Sequence, residues 1–272
     1  MRSPDTRPWF AAGMALLAVG LAGNSVLGPL LLDVIDYPFT ETVRNETLGL
    51  EAVTLVLVAP LALLAAGLTA RAHRGGPLVA LAPTSYAAYM LVQYVVGPQY
   101  PTYQPSVAWH LALLVLSLGL LVRAWTLAAP GGVPVHRGRW AAVVLALAAF
   151  VVSRWVPAFT GMAGGEDVPA AAPDLTMYWS IFLLDLAVVV PAAVAAAVGL
   201  LRDTPWARRA VFAVLAWFSL VPPSVAAMSV VKILRDDPDQ APGDTVVLLV
   251  VTVVVGVVAV LLYRPVFRAR PQ

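Results

Sequence analysis

The chain has 272 residues, of which 60% are hydrophobic and only 12% charged, and its mean hydropathy is +0.84. A soluble domain needs roughly a quarter of its residues charged to cover its surface, so this composition excludes water-soluble enzymes and nucleic-acid-binding proteins and predicts a polytopic membrane protein. The net charge is +2, and the lack of cysteine excludes disulfides, thiolate metal sites and cysteine catalysis.

Apolar runs of membrane-crossing length follow one another along the chain, each close to the roughly 20 residues that a transmembrane helix needs. There are eight, at about residues 11–32, 50–70, 77–96, 107–127, 140–159, 178–201, 210–231 and 245–263. The sequence therefore predicts an all-α polytopic bundle of eight transmembrane helices. Arg2 and Arg7 would also suit a cleaved signal peptide, but its apolar region is usually about 7–15 residues, so a retained first helix is favoured.

The distribution of basic residues predicts the orientation of the bundle, because cytoplasmic loops accumulate lysine and arginine. With the N-terminus in the cytoplasm, thirteen of the 17 basic residues lie on the inner side, and the other four are Arg44, Arg154, Lys232 and Arg235. Both termini are therefore predicted to be cytoplasmic. The alanine-rich, arginine-for-lysine usage is typical of a high-GC bacterium and indicates a bacterial plasma (inner) membrane.

Two halves of the sequence share a spacing. The second run contains Thr54-Leu55, Pro60 and Arg71, and the sixth contains Asp185-Leu186, Pro191 and Arg202 at the same intervals. Four helices per half would keep both copies in the same orientation, as in a parallel repeat. The pattern favours a 4+4 arrangement within one integrated membrane domain, with four-helix units at residues 1–128 and 129–272.

Polar side chains are concentrated in the outer third of the predicted helices. An ionisable residue within hydrocarbon is by default a candidate functional group. Arg123 is near an inner end, where its side chain can reach the headgroups. The remaining candidates predict an outward-facing polar cavity that binds a ligand, and they are Arg154, Asp185, His110, Glu51, Tyr86, Tyr89, Gln93 and Asn24.

Structural alternatives remain open for each candidate. Arg154 and Asp185 lie at similar depth on consecutive helices and could form a buried ion pair that only holds the bundle together. The tyrosines could belong to an interfacial aromatic belt, as Tyr94 and Trp155 are expected to do. His110 could be an interfacial histidine, and Glu51 could point outward to water.

The sequence predicts no cofactor and no metal site, and it assigns no catalytic residue. Bis-histidine haem ligation needs paired histidines, and His110 is the only histidine within a predicted run. No phosphate-binding loop or dinucleotide motif occurs. Lys232 lies at a membrane edge rather than in the desolvated centre that Schiff-base chemistry needs.

Two stretches carry a family resemblance. The first is Asp185-Leu186, Pro191 and residues 199–202, followed by Trp206, and the second runs from Tyr86 to Tyr94 ahead of the leucine-rich fourth run. Together they resemble a widespread family of bacterial multi-pass integral membrane proteins of unassigned function. The resemblance implies an eight-helix or similar bundle and no mechanism.

These observations favour binding or transport of a small or amphipathic molecule that enters from the outer leaflet. Arg154 and Asp185 would form the charged centre. One alternative is an intramembrane enzyme acting on a lipid or isoprenoid, and another is an accessory subunit whose aliphatic last helix docks a partner subunit. Membrane lipids are the expected surroundings in every case, and nucleic acid is not an expected partner.

Overall fold

The computed structural model describes residues 7–130, 136–166, 168 and 174–268, and within these ranges every regular element is a helix. We number the helices in chain order. They are α1 (Arg7–Leu27), α2 (Glu41–Ala70), α3 (Gly75–Val96), α4 (Pro105–Leu127), α5 (Arg137–Arg154), α6 (Val156–Gly164), α7 (Leu175–Leu201), α8 (Ala207–Leu234) and α9 (Pro242–Arg268).

Seven of the described helices are each long and apolar enough to cross a membrane, which confirms the predicted all-helical architecture. The predicted fifth span is different, because it consists of α5 and α6, which meet at Trp155 with a bend of 41°. Pro157 lies in the first turn of α6, where its missing N–H is tolerated, so a new helix begins there. Counting the bent pair as one span brings the number to eight.

Helix α2 extends well beyond its predicted apolar run. It begins at Glu41, where the Thr40 side chain accepts a hydrogen bond from the Val43 backbone N–H. A threonine in this position satisfies one of the free N–H groups of a first turn. The residues from Glu41 to Gly49, which lie outside the predicted apolar run, are therefore helical, and the side chains of Val43, Asn45 and Leu48 are buried.

Two π-helical turns interrupt long helices at matching places. They cover Thr54–Val58 in α2 and Asp185–Val189 in α7, and each has a proline two residues after its end. A proline ring lacks an N–H and clashes with the carbonyl four residues earlier, so a wider i to i+5 turn accommodates it. The two π-helical turns begin 131 positions apart, at residues 54 and 185. Ala72 and Asp203, which follow the ends of α2 and α7, are also 131 positions apart, and both have a positive φ, of 54° and 55°.

Helix α3 lies at the centre of the bundle and α9 at its edge. Of the apolar window of α3, 72% of the residues are buried, against 17% for α9. Helix α3 packs on α2, α4, α7 and α8, while the first half of α2 packs against the second half of α8. The central position of α3 places its polar side chains between the two halves of the chain.

Candidate functional site

A buried carboxyl group lies among the first four spans. Glu51 is 1% exposed, and its Oε1 accepts hydrogen bonds from Asn24 Nδ2 at 2.9 Å and from the Tyr94 hydroxyl. Its Oε2 contacts the Ser25 hydroxyl. None of the described basic side chains forms an ion pair with Glu51. Three neutral partners therefore satisfy a group that would be costly in hydrocarbon without them.

The same cluster contains a stack of three rings. Tyr37, from the segment between α1 and α2, lies 5.4 Å from Tyr94 and 5.7 Å from His110 between ring centroids. His110 Nε2 is 2.9 Å from Asn24 Oδ1, whereas His110 Nδ1 is buried without a hydrogen-bond partner among the described residues. Burial raises the pKa of Tyr37 above its ordinary value, so its hydroxyl stays protonated. We call Asn24, Ser25, Tyr37, Glu51, Tyr94 and His110 the Glu51 cluster.

A second buried carboxyl group lies in the other half. Asp185 is 2% exposed, and it accepts hydrogen bonds from the Tyr89 hydroxyl at 2.7 Å and from Trp155 Nε1 at 2.9 Å. Asp185 is the first residue of the π-helical turn in α7, and Trp155 is the residue at the bend between α5 and α6. The π-helical turn therefore positions Asp185 for this hydrogen bond, and the bend positions Trp155.

The donors to the two carboxyl groups occupy matching positions. Asn24 and Trp155 are 131 positions apart (24 and 155), the same interval that separates the two π-helical turns. Asn24 lies in the last turn of α1 and Trp155 directly follows α5, and each donates to a carboxyl group on the next long helix. Helix α3 supplies the second donor to both, through Tyr94 and Tyr89.

A polar cavity of about 300 Å³ lies between the halves at one end of the bundle. Helices α2 and α3 of the first half and α5, α7, α8 and α9 of the second all contribute to its lining. The polar side chains that line it are Glu46, Tyr86, Tyr89, Gln93, Arg154, Ser224, Ser229, Lys232, Asp239 and Asp244. Tyr86 is held in place by a 2.8 Å hydrogen bond between its hydroxyl and Ser224 Oγ.

The eight sequence candidates thus separate into groups. Four of them line the cavity, namely Tyr86, Tyr89, Gln93 and Arg154. Asn24, Glu51 and His110 lie in the Glu51 cluster, outside the cavity lining. Asp185 contacts the cavity only through Tyr89.

Arg154 and Asp185 do not form an ion pair in the structure. Both residues are described, yet no contact within 4.0 Å joins them. Arg154 is solvent-exposed at the end of α5 and lines the cavity without an ion-pair partner among the described residues. The buried ion pair left open by the sequence is therefore absent between these two side chains.

Charged and polar side chains near the cavity connect α2 to α8 and to the segment that follows α8. Lys232 Nζ is 3.2 Å from Glu46 Oε1. Asp237, 2% exposed, accepts hydrogen bonds from Asn45 Nδ2 at 2.7 Å, from the Asp239 backbone N–H at 2.9 Å and from Thr42. Among the described residues, no three histidine or acidic side chains are grouped to hold a metal ion.

An apolar groove of about 490 Å³ adjoins the cavity at Tyr89. Helices α3, α4, α7 and α8 form it, and Tyr89 lines both spaces. Its other walls are aliphatic and aromatic, with Trp125, Val188 and Phe218 among them. Tyr89 thus separates a polar compartment from an apolar one.

Several residues of the site were not predicted as such. Ser25, Tyr37, Tyr94, Trp155 and Ser224 emerge only from the structure, and two of these aromatic side chains had been assigned to an interfacial belt. Trp155 could have been found from the shared spacing, because it lies as far from Asn24 as Asp185 lies from Thr54. Comparison with known proteins adds no relative, since no family model, curated protein or solved structure matches this chain.

Proposed function

We propose that the cavity between the two halves binds a small or amphipathic molecule, as part of a binding or transport protein. The observation that carries the proposal is Arg154, a guanidinium that faces a cavity of about 300 Å³ without an ion-pair partner among the described residues. Cavities lined by a few convergent polar groups are the usual form of small-molecule sites. An anionic group on the ligand would pair with Arg154.

The setting of the cavity favours an amphipathic ligand. Its walls carry hydrogen-bonding groups at Tyr86, Tyr89 and Gln93, while the groove beyond Tyr89 is almost wholly apolar. A molecule with a polar head and a hydrocarbon portion matches both surfaces. Entry from the membrane is consistent with a groove that lies between membrane-length helices.

We also propose that the halves are a parallel repeat of four helices each, with both termini cytoplasmic in a bacterial plasma membrane. Support for the repeat comes from the matching π-helical turns, helix ends and carboxyl donors described above. Support for the orientation comes from the excess of arginine in the predicted inner segments. The cavity would then open toward the outer leaflet, because Arg154 and Lys232 lie at the predicted outer ends of their helices.

The test is native mass spectrometry of the protein in lipid nanodiscs. Wild type should retain a bound small molecule or lipid that Arg154→Gln loses. Arg44→Gln is the matched control, since Arg44 is an exposed arginine that pairs with Asp33 outside the cavity. Retention of the same ligand by Arg154→Gln would overturn the proposal.

Helix α9 favours a second function, because its exposed face consists largely of valine and leucine side chains. This surface would suit an accessory subunit that docks a partner helix. If wild type is empty in nanodiscs and a stoichiometric partner copurifies in mild detergent, the subunit function replaces ligand binding. Conversion of lipids in a membrane extract by the purified protein would instead support the enzyme alternative.

A further inference from the structure

We propose that Glu51 is a proton-binding site of the bundle and that it is held there as a neutral carboxylic acid. This inference concerns a group outside the cavity and does not rest on the proposed ligand. It follows from the way hydrogen atoms can be distributed among the described contacts.

The two oxygens of Glu51 have different surroundings. Oε1 receives two donors, Asn24 Nδ2 and the Tyr94 hydroxyl. Oε2 contacts only the Ser25 hydroxyl. This asymmetry matches a carboxylic acid, in which the carbonyl oxygen accepts hydrogen bonds and the hydroxyl oxygen donates one.

Ser25 provides the acceptor that a protonated Glu51 needs. Its Oγ also lies 3.2 Å from the Leu21 backbone carbonyl, one helical turn earlier. A serine hydroxyl has one hydrogen and two lone pairs, so it can donate to Leu21 and accept from Glu51 Oε2 at the same time. When the proton leaves, rotation of the same hydroxyl lets it donate to Oε2 instead, without movement of the backbone.

The described groups that face Glu51 would leave a negative charge on it without an ion-pair partner. Helix α1 presents Asn24 and Ser25, which do not titrate in the neutral range. Helix α3 presents Tyr94 and, within electrostatic reach, Tyr86; α4 presents His110, and the α1–α2 segment presents Tyr37. The described lysine of α8, Lys232, pairs with Glu46 instead.

His110 lies in the same cluster, with Nε2 2.9 Å from Asn24 Oδ1 and 3.1 Å from the Tyr37 hydroxyl. With Asn24 Nδ2 directed to Glu51, Asn24 Oδ1 can only accept a hydrogen, and a hydrogen on His110 Nε2 supplies it. The buried Nδ1 is then an acceptor without a partner among the described residues.

A proton is the cation that suits this site. Both oxygens of Glu51 are already in hydrogen-bond contact with Asn24, Ser25 or Tyr94, and Glu51 does not line the polar cavity. A metal ion would need those contacts to be separated. Glu51 nevertheless follows Leu50 in the chain, and Leu50 lines the cavity. A change in the charge of Glu51 would therefore change the electrostatic potential in the cavity.

The experiment is infrared difference spectroscopy of wild type against each variant in proteoliposomes, in H₂O and in D₂O. Wild type should show the carbonyl band of a buried neutral carboxylic acid, and Glu51→Gln should lose it. Asp185→Asn is the matched control and should keep the band, because both donors to Asp185 belong to another cluster.

Tyr94→Phe keeps the test decisive if Glu51→Gln does not fold. Removing one donor to Oε1 should shift the frequency of the same band and leave its intensity in place. The inference is overturned if the band is unchanged in Glu51→Gln, or if it does not respond to Tyr94→Phe. Because ligand retention in nanodiscs is measured separately, failure of this inference is distinguishable from failure of the proposed function.

Discussion

Gly49 lies where α2 crosses α8, and its lack of a side chain allows the two backbones to touch. A Cβ at this position would lie 2.4 Å from the Met228 backbone N and 2.5 Å from the Ala227 carbonyl carbon. Backbone cannot move aside as a flexible side chain can. Gly49→Ala is therefore expected to lower the free energy of unfolding by about 1–3 kcal/mol, as overpacking usually does. Thermal unfolding in detergent checks this.

Gly23 supplies the matched control for that measurement. It lies within α1, and a Cβ there would meet nothing within 4 Å. Gly23→Ala should be neutral or stabilise the helix by up to about 1 kcal/mol, because alanine loses less backbone entropy. Equal unfolding temperatures for the two alanine variants would show that the α2–α8 contact tolerates a side chain.

The hydrogen bonds that Asp237 accepts predict that the folded protein loses stability in acid. Burial acts to raise its pKa, but hydrogen bonds from Asn45, the Asp239 amide and Thr42 outweigh burial, so the pKa lies below its ordinary value of 3.8. Because the pKa is lower in the folded state, the Asp237 carboxylate stabilises the fold at pH values above its ordinary pKa. That contribution is lost as the pH falls through the folded-state value.

The comparison to make is wild type against Asp237→Asn in urea unfolding, from about pH 6 down to about pH 3. Wild type should be more stable at the upper end, and the difference should shrink as Asp237 takes up its proton. A difference that stays constant across this range would contradict the assignment of a charged Asp237 to these hydrogen bonds.

At the level of the elements, the bend between α5 and α6 and the π-helical turn of α7 are joined by one hydrogen bond. Trp155→Phe removes the indole donor to Asp185 while keeping an aromatic ring, and it is expected to lower the free energy of unfolding by about 1–3 kcal/mol. Chemical unfolding in micelles measures the change. Ser153→Ala is the control, because the Ser153 hydroxyl bonds only to the Phe150 carbonyl of its own helix.

The interaction between these elements can be separated from the local effect of each side chain. Trp155→Phe combined with Asp185→Ala should be less destabilising than the sum of the single changes, with a coupling of about 0.5–3 kcal/mol. Simple additivity would mean that the bend and the π-helical turn are held by other contacts. The equivalent cycle in the first half uses Asn24→Ala and Glu51→Ala.

For the whole molecule, the proposed eight-span arrangement with cytoplasmic termini predicts a labelling pattern. The chain has no cysteine, so single cysteines can be introduced without background. Tyr103→Cys and Glu166→Cys should react with a membrane-impermeant maleimide on intact cells. Gly138→Cys should react only after permeabilisation, and all three positions are exposed in the structure.

Each position tests a separate part of the arrangement. Protection of Glu166→Cys on intact cells, with Tyr103→Cys still labelled, would mean that the bent α5–α6 pair does not cross the membrane. Labelling of Gly138→Cys and protection of Tyr103→Cys would reverse the proposed orientation. The arginine excess would then have failed as an orientation signal.

Much of the architecture could be predicted without coordinates, because hydrocarbon imposes one strong rule. Backbone polar groups in a membrane must be satisfied within the segment, so long apolar runs become helices. The runs correspond to seven membrane-length helices plus the bent pair. The bend at Trp155 and the helical start at Glu41 were missed, since they depend on Pro157 and on the Thr40 cap, which the length of an apolar run does not reveal.

The candidate site could be predicted in part. Tyr86, Tyr89 and Gln93 share one face of α3, so their common cavity followed from helical periodicity. The partners of Glu51 and Asp185 did not follow in the same way. Depth along a helix can be counted from sequence, but the neighbour that a side chain meets depends on the rotation and crossing of whole helices.

Composition alone indicated a membrane protein, because too few charged residues are present to cover a water-exposed surface. Tertiary packing alone decided that Glu51 meets Asn24 and Tyr94 while Arg154 stays apart from Asp185. The reason is geometric, since each residue turns a helix by about 100° and one π-helical turn redirects every side chain that follows it.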